Sequence, residues 1–89
     1  MSRVAPRAPH AATLVFEAPS EAEAAALAGA LGPEVGDEVP KTRGALARDG
    51  ARVTLDLAAE DVPSLRAAVN SYLRWARTAL DAAAAARRP

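Results

Sequence analysis

The sequence predicts an α+β fold of order β-α-β-β-α, in which a three-stranded antiparallel sheet carries two helices on one face. Three observations lead there. Ala11 to Glu17 alternates apolar and polar positions. An Asp49-Gly50 pair separates two further alternating runs. Ser20 and Asp61 each stand where a helix would start, ahead of apolar residues spaced by three and four.

Each element has its own local cause. Residues 1–10 hold two prolines and two arginines without periodicity and read as a flexible N-terminal tail. In the first strand Ala12, Leu14 and Phe16 share one face, and Thr13, Val15 and Glu17 the other. The first helix opens on Pro19-Ser20-Glu21-Ala22-Glu23, a capping-box pattern in which Ser20 accepts from the Glu23 amide. It runs to Leu31, where Gly32 and Pro33 stop it, with Ala24, Leu27, Ala28 and Leu31 towards the core. An acidic loop follows. Lys41 to Arg48 and Ala51 to Ala58 then form a hairpin about Asp49-Gly50, a pair suited to a type I′ turn. That register sets Leu46 opposite Val53, Gly44 opposite Leu55 and Arg43 opposite Asp56, with Leu46, Val53, Leu55 and Leu57 inward. Asp61 caps the last helix and Pro63 fits its first turn. This helix runs from Val62 to about Ala84. One domain, residues 11–82, is expected, with residues 83–89 as a fraying C-terminal tail.

Composition bounds the function. The chain has 89 residues, enough for one domain with a thin core. Alanine supplies much of its 51% hydrophobic content, and Phe16, Tyr72 and Trp75 are the only aromatics. There is no cysteine, so disulfides and thiolate metal sites are excluded, and oligomerisation is the remaining source of extra stability. Eleven basic and eleven acidic residues cancel, so no global field draws the chain to nucleic acid or anionic membrane. With no span-length apolar run and no signal-peptide pattern, the sequence reads as cytoplasmic. Catalysis has little to work with. His10 is the only histidine and lies in the tail, no glycine-rich loop precedes a helix, and Glu34, Asp37 and Glu38 lack the ligand ladder of a calcium loop. No cofactor or metal is expected.

The last helix carries more apolar surface than one sheet can cover. Val62, Leu65, Val69, Tyr72, Ala76, Ala79 and Ala83 form a seam, flanked by Leu73 and Leu80, which is assigned to the sheet. A second arc of Ala68, Trp75, Ala79, Ala82 and Ala86 is assigned to a helical partner, with Trp75 as its anchor. The bland alternative has Trp75 folding over the first helix. The remaining face holds Arg66, Asn70, Arg74, Arg77 and Asp81.

The run Leu65-Arg66-Ala67-Ala68-Val69-Asn70-Ser71-Tyr72-Leu73-Arg74-Trp75, with Val53 to Ala58 and Asp61 before it, resembles the Pcc family of small KEOPS-complex subunits. The Pro19-Ser20 helix start and Pro33-Glu34 also fit, so the likeness covers about Leu14 to Arg77. The resemblance implies a non-enzymatic β-α-β-β-α protein that forms a homodimer. It implies docking of the two helices on the catalytic threonylcarbamoyl-transferase subunit, which makes N6-threonylcarbamoyladenosine in transfer RNA. On this chain it assigns Ala24, Ala28, Ala68, Tyr72, Trp75 and Ala79 to the partner interface, and Arg43, Arg66 and Arg74 to tRNA contact. Its alanine-rich hairpin (Ala45, Ala47) and its neutral charge depart from the family's pattern. A stand-alone RNA-binding module, motivated by the same arginines, is the competing reading. No aromatic stacking platform accompanies them, which argues against sequence-specific readout.

Overall fold

A computed structural model describes residues 10–32, 35 and 41–87, Arg87 by its backbone alone. Residues 1–9, the acidic loop apart from Val35, and residues 88–89 therefore lie outside the described residues, whereas 83–87, expected as a fraying tail, belong to the last helix. Five elements follow in the expected order: β1 (His10–Glu17), α1 (Glu21–Leu31), β2 (Thr42–Asp49), β3 (Arg52–Ala59) and α2 (Val62–Arg87). The strands are antiparallel in the order β1-β3-β2, so β3 is central, and both helices pack on one face.

The local signals act as the sequence indicates. Ser20 Oγ accepts from the Glu23 amide at 3.2 Å and donates to the Glu23 carboxylate at 2.8 Å, which keeps that acid satisfied at 4% exposure. Gly32 ends α1 in a right-handed conformation, its amide donating to the Ala28 carbonyl. Asp61 Oδ1 accepts from the Ser64 amide at 2.7 Å and starts α2. That helix continues to Arg87, 26 residues or about 39 Å at 1.5 Å per residue.

The hairpin face is as expected, but its register is not. Asp49 pairs with Arg52, Leu46 with Leu55 and Gly44 with Leu57, so the two central turn residues are Gly50 and Ala51 rather than Asp49 and Gly50. Gly50 has φ of +62° at the first central position and Ala51 keeps negative φ, the type II′ pattern. A type I′ turn would have forced Asp49 into the left-handed region, where non-glycine residues are strained. The observed turn uses the glycine alone. It is tied down by Ala18, whose amide donates to the Ala51 carbonyl at 2.8 Å, and by Arg48 Nη1 donating to the Gly50 carbonyl at 3.0 Å. Arg43 consequently stands opposite Ala58, and Asp56 opposite Ala45 and Thr13. Thr13 Oγ1 donates to Asp56 at 2.7 Å in place of the expected arginine contact.

The core lies between β3 and the helices. Val53, Leu55 and Leu57 meet Ala24, Leu27 and Leu31 of α1 and Ala68, Tyr72 and Ala76 of α2, all at most 1% exposed. Leu14, Phe16 and Leu46 close its sides as half-buried residues. Alanine at 24, 68 and 76 lets the helix backbones approach closely, and Tyr72 fills the volume they leave.

Candidate interaction surface

The orientation of α2 decides which residues a partner can reach, and the two arcs read from the sequence need correcting. Ala68, Tyr72 and Ala76 point into the core. Their direction is centred between the arcs, so each arc is partly buried and partly free. Val62 and Leu73, assigned to the sheet from sequence, are instead 47% and 46% exposed. The wheel explains this: Val62 and Leu80 share one direction, Leu73 lies 20° from them, and all three sit about 80–100° from Tyr72 at 100° per residue.

Of the six residues assigned to a helical partner, Ala24, Ala68 and Tyr72 are buried inside the chain. Ala28, Trp75 and Ala79 are half-buried and pack against the same core. Trp75 sets its ring edge-to-face on Tyr72, with centroids 5.1 Å apart and planes at 89°. That contact lies within α2, and the ring also packs half-buried against the core, which leaves part of the indole accessible. Around these residues the helix layer is lined by exposed Ala22, Ala25, Ala26, Gly29 and Ala30 of α1, and Ala67 and Thr78 of α2. The alanine-rich outer faces of α1 are visible in the sequence and suit close approach by another helix, but only Ala24 and Ala28 of α1 are among the residues assigned from sequence.

The three arginines do not converge. Arg66 and Arg74 are exposed on α2, two turns apart. Arg43 is exposed on β2, on the sheet face turned away from the helices. Among the described residues the ion pairs are Lys41 with Asp61 at 3.9 Å, Arg52 with Glu17 at 2.7 Å and Arg77 with Asp81 at 4.0 Å; none engages Arg43, Arg66 or Arg74. Hydrogen bonds from Ser64, the hydroxyl first and then the amide, hold the Asp61 carboxyl below its ordinary range, with a smaller contribution from the Lys41 charge.

Among the described residues no group of acidic or histidine side chains could hold a metal ion. No helix of theirs is long and apolar enough to cross a membrane. An open groove of about 470 Å³ lies between α2 and β1, lined by Phe16, Leu73, Ala76, Arg77, Leu80 and Asp81. It has an apolar floor and one ion pair at its rim, with no convergent polar groups for a small ligand. The chemistry on offer is association.

Comparison with known proteins agrees with that character. Residues 11–84 match the family described as "Transcription factor Pcc1". A 34-residue stretch, 38% of the chain, is 50% identical to a KEOPS complex subunit Pcc1 of Pyrococcus abyssi (strain GE5 / Orsay). That match spans 42% of the relative's length.

Proposed function

Because the chain belongs to the Pcc1 family, we propose that it is a non-catalytic, cytoplasmic subunit of a KEOPS complex. In this reading it dimerises and carries the catalytic threonylcarbamoyl-transferase subunit on its helix layer. The observation that supports the second part is the alanine-lined surface of α1 beside the accessible part of Trp75. Small residues let a second pair of helices approach closely, and a large ring at the seam supplies an anchor. The contact set differs from the one read from sequence. Ala25, Ala26, Ala28, Gly29 and Ala30, with Trp75 and Ala79, would meet the partner, while Ala24, Ala68 and Tyr72 support them from beneath.

The test is co-purification with the transferase subunit. Ala26→Glu and Ala30→Glu keep good helix formers at exposed positions. They should abolish the complex while circular dichroism and melting temperature stay near those of the parent. A complex that survives both substitutions rules out this surface.

Arg66 and Arg74 support a further role in holding tRNA, because exposed guanidinium groups outside any described ion pair suit phosphate contact. Arg43 lies on the other layer and would need RNA that wraps around the sheet. If the chain instead acts alone as an RNA-binding module, the isolated protein binds tRNA at low salt, with affinity falling steeply as salt rises. Absence of such binding leaves the subunit reading.

A further inference from the structure

The sheet face turned away from the helices is covered by no element among the described residues. An antiparallel face that meets only water ordinarily turns polar residues outward. Here the middle of the face is held by small side chains: Thr13 and Val15 of β1, Thr54 of β3, and Ala45 and Ala47 of β2. Val15 is 53% exposed. Most charges on this face are satisfied within the chain: Glu17 accepts from Arg52 and Asp56 accepts from Thr13, each at 2.7 Å. Two are not. Arg43 and Asp49 both stand on the outer face of β2, and no ion pair among the described residues engages either. They lie six residues apart, about 20 Å along the strand, so they cannot meet within one chain.

We propose that this outer face is a second self-association surface, on which another copy of the chain stacks sheet against sheet, its strands turned end for end. The occupant is a second copy because the face complements itself. The Leu14–Leu55–Leu46 rung crosses the middle of all three strands. A two-fold axis laid over that rung sets Arg43 of each copy against Asp49 of the other, Ala45 against Ala47, Thr54 against Asp56 and Thr13 against Val15. No charge then stands directly opposite one of its own sign. An axis along the strands would instead set Asp49 against Glu17 and Arg52 against itself, so the charges select one arrangement. Three strands of eight residues present a face of roughly 400 Å², at about 3.4 Å per residue and 4.8 Å per strand. Two such faces bury about 800 Å², the size of a weak, concentration-dependent contact. Both sheet edges and the whole helix layer stay free. The stacking therefore goes beyond the homodimer and transferase-docking readings above and competes with neither.

A charge swap tests the stacking on the full chain. Sedimentation velocity over a concentration series at low salt should show the protein's basic unit, monomer or dimer, doubling as concentration rises, and added salt should reverse the doubling. Arg43→Asp alone, or Asp49→Arg alone, sets like charges in opposition and should raise the dissociation constant of that step roughly tenfold or more. The two substitutions together restore opposite charges across the interface and should bring the constant back towards that of the parent. Ala47→Glu, which leaves both charges in place but adds bulk at the centre of the face, should also abolish the step. Circular dichroism confirms that each variant is folded. A single charge variant that associates as tightly as the parent, or a double swap that fails to restore association, overturns the outer face. So does a protein that forms a homodimer untouched by these substitutions and nothing larger, an outcome that leaves the homodimer reading standing. A chain that stays monomeric at every concentration removes both.

Discussion

At the scale of the residue, Gly44 is a close approach and not a turn. It faces inward opposite Leu57, and a Cβ built there would sit 3.0 Å from Val35 Cγ1 and 3.3 Å from Leu57 Cδ2. Leu57 is fully buried and has little room to yield. Gly44→Ala should therefore cost about 1–2 kcal/mol through overpacking, against the gain glycine replacement gives an exposed strand. Urea denaturation measures this, and a variant as stable as the parent would show that Val35 simply moves aside. The sequence marked Gly44 only as a strand residue. Its role depends on Val35, which approaches from across a loop, and no local pattern reports that.

At the scale of the element, the helix starts and the core face of α1 were legible, and the face of α2 was not. Ser20 and Asp61 act through amides three residues on, so a single chain segment holds all the information. The direction of α2 depends on what lies against it. More than half of its circumference is apolar, and following the three-and-four spacing from Val62 rotated the stripe towards Val62 and Leu73. The structure centres the buried stripe on Ala68, Tyr72 and Ala76, the alanines leaving room for α1 to pack alongside. The Asp61 cap also gives α2 a pH dependence. Its carboxyl is held below the ordinary value of about 3.9, so the stabilisation is present above that pH and is lost as pH falls through the folded-state value. Asp61→Asn keeps an acceptor oxygen but cannot titrate. From pH 5 to pH 2.5 the melting temperature of the parent should fall further than that of the variant. Parallel declines would remove Asp61 from the acid transition.

At the scale of the whole molecule, strand order, the placement of both helices on one face and the inward set of the hairpin all followed from alternation and connection rules. The hairpin register did not follow, because side-chain facing repeats every two residues and a shift of two leaves it unchanged. That degeneracy has a kinetic consequence. A chain collapsing around Asp49-Gly50 reaches a hairpin with its leucines on the correct face, yet every rung is two residues out of place. It must melt before Ala51 can reach Ala18. The misregistered hairpin is a trap that the amphipathic pattern cannot exclude. Asp49→Asn strengthens the competing turn, since Asn-Gly is the strongest type I′ signal. In stopped-flow measurements it should slow the folding limb or split off a second, slower phase, with little change in the unfolding limb; an unaltered chevron would mean the wrong register is never visited. The glycine that makes the native turn cheap also keeps its nearest rival within reach.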